Sequence, residues 1–155
     1  MNRWFMINGI AILVSVWALF TVNDLGLRHA VGGLGVALIL FNWTRHAVFT
    51  TIRENKSREV KIRFAQLSKK VLPFHRWIGT SAVVVVWLHA WLVIDRYGFY
   101  WAHPKFLVGF ITGSLLLGVA TFGWLRLYWP SGKKRMLHLY LAMTMFCLMI
   151  VHLIL

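Results

Sequence analysis

Apolar and polar positions in this chain do not alternate finely; they come in long blocks. Five apolar stretches run at about 4–22, 30–49, 73–95, 104–126 and 136–155, divided by polar or basic segments. A block of about 20 apolar residues, at 1.5 Å per residue, matches the ~30 Å hydrocarbon core of a bilayer. In that medium a helix satisfies its own backbone polar groups. The pattern predicts an all-α transmembrane bundle of about five helices, one domain over 1–155. The first block, "WFMINGIAILVSVWALFTV", follows a single Arg3 and ends without a small-residue cleavage site. It is expected to remain as a span rather than to leave as a signal peptide.

Local signals set the boundaries. Pro73 suits the start of the third helix, where its missing N–H costs nothing. The "GKKR" run predicts a turn before the fifth. Small residues in "AVGGLG" of the second span, and Gly109 and Gly113 of the fourth, let helices approach closely.

Composition agrees with the pattern: 59% of residues are hydrophobic, more than a soluble domain arranges in such runs. The net charge of +13 at first suggests nucleic acid. Its distribution removes that partner. Arg45, Arg53, Lys56, Arg58, Lys61, Arg63, Lys69, Lys70 and Arg76 share one connection, and Arg126, Lys133, Lys134 and Arg135 share another. The opposite side carries only Arg28, Arg96 and Lys105. The positive-inside rule accounts for this, with the N-terminus inside and the C-terminus outside a plasma membrane. The segment 45–72 is then expected to be a cytoplasmic basic loop. Within it Val60, Phe64, Leu67 and Val71 form an apolar stripe at helical spacing, suited to the anionic inner leaflet or to an acidic partner. The single cysteine, Cys147, lies in an apolar run and excludes a disulfide framework.

Four histidines lie inside apolar blocks, where an imidazole is costly without a partner. His75 and His89 are fourteen positions apart in the third span; His138 and His152 are fourteen apart in the fifth. Fourteen residues make nearly four helical turns, so each pair shares a face, ~21 Å apart along the axis. The two spans run in the same direction, and the histidines match in depth. Facing one another, His75 with His138 and His89 with His152 form two pairs of axial ligands, for two haems stacked between the third and fifth helices. Iron held by two imidazoles has no open position and suits electron transfer. Arg76, Arg126 and Arg135 on the inner side are candidates to neutralise haem propionates, as are Arg96 and Lys105 outside. Phe146 lies between the two levels. His103, between Gly98 and Pro104, is expected in an outer loop.

"PFHRWIGTSAVVVVWLHAW" resembles the first haem-binding helix of the ferric reductase-like transmembrane family. Relatives include ferric reductases, NADPH oxidase membrane domains and haem subunits of periplasmic sulfoxide repair systems. The resemblance rests on His75, Arg76, Trp77, Gly79 and His89; "LHLYLAMTMFCLMIVH" is similar to the second binding helix. It covers about 73–155. It implies two b-type haems and electron flow from a cytoplasmic donor to an acceptor on the outer face: iron, a protein or oxygen. Members commonly have six spans where five are counted here, so a partner membrane subunit or a homo-oligomer is one expectation. The flavin and nicotinamide domain of many members is expected on a separate protein, so FAD or FMN would belong to that partner. Superoxide-producing members carry a further His one turn beyond the outer ligand, where this chain has Val93.

The leading expectation is therefore an electron-transfer subunit fed by a separate flavoprotein or a quinol. The alternative is a quinol-oxidising cytochrome b anchor for a separate redox enzyme. A proton-relaying transporter is disfavoured, because Asp24, Glu54, Glu59 and Asp95 all fall at span ends or in loops.

Overall fold

The computed structural model describes residues 3–21 and 26–155. It contains five helices: α1 (Arg3–Phe20), α2 (Leu27–Glu54), α3 (Arg58–Tyr97), α4 (Pro104–Tyr128) and α5 (Gly132–Ile154). No strand occurs among the described residues. Four of the helices, α1, α3, α4 and α5, are long and apolar enough to cross a membrane. α2 falls short on composition: its second half carries Asn42, Thr44, Arg45 and His46 within a few residues. Of the carboxylates, Glu54 ends α2, Glu59 opens α3 in an ion pair with Arg63 (2.6 Å), and Asp95 lies near the end of α3. Asp24 lies outside the described residues.

Helix ends follow the local chemistry. Ser57 and Ser131 cap α3 and α5, each accepting from the backbone N–H three residues on. Pro104 sits in the first turn of α4 behind His103, which is its N-cap. Gly98 stops α3 at φ +70°, a conformation open to glycine without strain.

α3 departs from the sequence expectation. Pro73 lies inside the helix, not at its start, and α3 runs unbroken for 40 residues, about 60 Å. Residues 58–72 are therefore helical, and the loop shrinks to Asn55–Ser57 between two long antiparallel helices. Of the apolar stripe, Val60, Phe64 and Val71 are half-buried while Leu67 is exposed. α2 lies alongside this part of α3, and its own second half includes the buried Ala47 and Thr50. The hairpin continues past the span as a basic helical arm.

α2–α3 and α4–α5 are the two closely packed antiparallel pairs; α3 meets α4, and α1 lies on α2 and α5. No Cα of α3 comes within 8 Å of a Cα of α5. The core is small and sits at mid-depth: Ile39, Leu40 and Trp43 of α2, Ala82 of α3, Leu116 of α4, and Met145, Phe146 and Met149 of α5, with Ala11 of α1. Ala47 has no exposed surface, leaving no room for added methylenes. Ala47→Leu is expected to destabilise the protein by about 1–3 kcal/mol, seen as a lower thermal midpoint in detergent.

Candidate cofactor site between α3 and α5

The four intramembrane histidines lie on the facing sides of α3 and α5, and all four are partly buried. At the outer level the rings of His89 and His152 are 6.5 Å apart, centroid to centroid, with planes at 78°. They reach across a gap that the helix backbones leave open. At the inner level His75 lies within electrostatic reach of His138, and both are within reach of Arg45 and Arg126.

Three of the four rings are oriented from a neighbouring helix by one repeated device. His89 Nδ1–H donates to the Arg28 carbonyl at 2.9 Å, His152 Nδ1–H to the Lys105 carbonyl at 3.0 Å, and His138 Nδ1–H to the Val119 carbonyl at 2.8 Å. A carbonyl only accepts, so in each case Nδ1 must carry the proton and Nε2 is left as the free, basic nitrogen. Four residues beyond each acceptor stands a glycine: Gly32, Gly109 and Gly123. A Cβ at Gly32 would lie 2.9 Å from the His89 ring, at Gly109 2.6 Å from His152, and at Gly123 3.4 Å from His138. The glycines are flat seats against which the imidazoles lie.

The two hairpins are thus built to one plan. Arg28 and Gly32 of α2 correspond to Lys105 and Gly109 of α4, and His75 and His89 of α3 correspond to His138 and His152 of α5. In that register the fourth seat, equivalent to Gly123, is His46. His46 instead turns its ring onto α1 and its own helix, edge-on to Trp4 at 4.4 Å and tilted to Trp43 at 5.5 Å. The carbonyl device fails at this position too, because His75 Nδ1 is buried without a partner.

Of the basic residues singled out from the sequence, Arg126 belongs to the inner level. Arg76 instead places its guanidinium over Trp124 at 5.9 Å, and Arg135 sits on the exposed first turn of α5. Arg45, to which the sequence assigned only a topological role, lies within electrostatic reach of both inner histidines. At the His89–His152 level, Lys105 is within reach of both rings, whereas Arg28 rests over Tyr97 at 5.5 Å. Arg96 is exposed near the end of α3. His103 lies at the exposed outer end of α4. Phe146 is buried and stacks on Trp43 at 4.2 Å and 8°, between the two histidine levels.

Among the described residues no three His, Cys, Asp or Glu side chains converge, so the protein offers two donors per level and no closed cage. Two imidazoles bound end-on to one metal, with bonds of about 2.0–2.1 Å, have ring centroids about 6.3 Å apart. The outer pair stands at 6.5 Å. No family model, curated protein or solved structure matches this chain.

The glycine seats are not equally tight. Gly109→Ala, which must displace the His152 ring, is expected to cost about 1–3 kcal/mol. Gly123→Ala, at ordinary contact distance, should change the thermal midpoint little; paired melts in detergent compare the two.

Proposed function

We propose that this protein is a membrane electron-transfer subunit holding two b-type haems, His75 with His138 toward the cytoplasm and His89 with His152 toward the outer face. The observation that carries the reading is the outer pair. Two imidazoles from helices with no Cα pair within 8 Å stand at metal-bridging separation, each with Nδ1 tied to a carbonyl and Nε2 free. Such a second hydrogen bond fixes ring orientation and raises ligand basicity.

Bound haem would supply one-electron iron redox chemistry at two depths of the bilayer. The chain's own residues do the rest. Gly32, Gly109 and Gly123 let the rings withdraw from the gap far enough to admit a flat group. Arg45 and Arg126 place positive charge where inner propionates need it. The Trp43–Phe146 stack fills the volume between the levels and keeps lipid and water out. Charge asymmetry sets the orientation, with the basic α2–α3 arm in the cytoplasm. There it is placed to meet a separate flavoprotein, while the acceptor approaches the outer end.

Haem content per chain, measured by pyridine haemochrome on purified protein, tests the assignment. The wild type is expected to bind two low-spin b haems, His89→Ala or His152→Ala one, and His89→Ala with His138→Ala none. His89→Ala at wild-type haem content would sink the reading. Reduction of the purified protein by a quinol analogue, without flavoprotein, would move the donor assignment to the membrane pool.

A further inference from the structure

The common plan of the two hairpins exposes a difference between the flanks of the bundle. On the flank between α2 and α5, Trp43 and Phe146 stack and fill the space, and α1 lies over them with Trp4 on the Trp43 ring at 6.0 Å. In the same register the flank between α3 and α4 has Ala120 where the other has Trp43, and Val83 where the other has Phe146. Small side chains leave a groove there of about 620 Å³, and among the described residues no helix other than α3 and α4 lines it.

The groove is lined mainly by apolar surface and suits an apolar occupant. Both threonine hydroxyls of its lining are already used: Thr80 donates to the Arg76 carbonyl and accepts from Trp124 Nε1, and Thr121 donates to the Leu117 carbonyl. Along α4 it runs from Leu117 to Trp129. Twelve residues span about 18 Å, close to one leaflet of a ~30 Å core and too short to seat a full transmembrane helix. Its cytoplasmic mouth carries two cations beside aromatic rings. Arg76 lies over Trp124, and Lys134 Nζ donates to the Trp129 carbonyl at 3.0 Å and lies over that ring at 5.7 Å. Anionic headgroups of the cytoplasmic leaflet complement such charges.

We propose that this groove is a lipid site, holding one acyl chain of an anionic phospholipid of the inner leaflet with its headgroup at Arg76 and Lys134. The lipid replaces, on this flank, the volume that Trp43, Phe146 and α1 fill on the other. Ala120 lies one turn before Gly123, the seat of His138, so the chain seals the flank beside the inner histidine pair. The site depends on the membrane placement and not on haem, so it stands or falls separately from the cofactor reading.

The test is native mass spectrometry of protein released from nanodiscs of equimolar phosphatidylglycerol and phosphatidylcholine. Wild-type protein is expected to retain a single phosphatidylglycerol. Val83→Phe with Ala120→Trp, which rebuilds the stack of the opposite flank, is expected to abolish retention with helicity unchanged. Ala120→Leu serves if the double variant does not fold. Arg76→Gln with Lys134→Gln should equalise the two headgroups. A lipid-free wild type, or filled-groove variants that retain lipid equally, would overturn the proposal. So would a dimer that shields a cysteine at position 120 from labelling in lipid-free detergent, which would assign the groove to a second copy of this chain.

Discussion

The bundle depends on how an imidazole is accommodated in hydrocarbon. A histidine ring there has two nitrogens to satisfy, and leaving a buried polar atom unpaired costs about 1–3 kcal/mol. Three of the four rings meet half of that need through a backbone carbonyl of the adjacent helix. A helix normally spends its carbonyls on its own N–H groups; these accept a second bond through the remaining lone pair. The ring must come close to reach such an oxygen; at Gly32 and Gly109 only glycine one turn on allows it, while position 123 leaves room for a Cβ at contact distance. Close antiparallel packing within each hairpin, the gap between α3 and α5, and the paired histidines across it all follow from that approach.

Repetition of this device makes the exceptions informative. At the fourth seat a side chain stands where glycine would admit the ring, so His46 is diverted onto Trp4 and Trp43 and His75 keeps a buried, unpartnered nitrogen. The same α1–α2 contact holds Asn8, buried to 5% exposure with neither amide atom bonded. The inner level is therefore less symmetric and less satisfied than the outer one, and it lies nearer to Arg45 and Arg126. The two flanks differ for a related reason: α1 is a single helix and covers only one of two equivalent faces.

Much of this was legible in the sequence because the bilayer imposes a length scale. A stretch of apolar residues long enough to span announces its helix, and α4 and α5 were located to within about a turn by this alone. The fourteen-residue interval of both histidine pairs is a property of one helix at a time, so periodicity exposed it. The extent of α3 was not legible. Proline in a first turn and proline inside a long helix look alike without knowing what packs beside it. Here α2 extends alongside, and its partnership carries α3 through Pro73. α2 shows the converse, since hydropathy ranked it as a span like the others while its polar second half keeps it below them.

By itself the sequence determined the helical class, the number of helices, the two equally spaced histidine pairs and the uneven charge of the connections, because each is written in local pattern or composition. Only the tertiary structure decided that Gly32, Gly109 and Gly123 each receive a histidine ring, that Arg45 stands by the inner pair, and that one flank is filled while its equivalent is open. These are contacts between residues far apart along the chain. Nothing in the local spacing of either partner encodes them; they arise from the register in which one helix lies against the next.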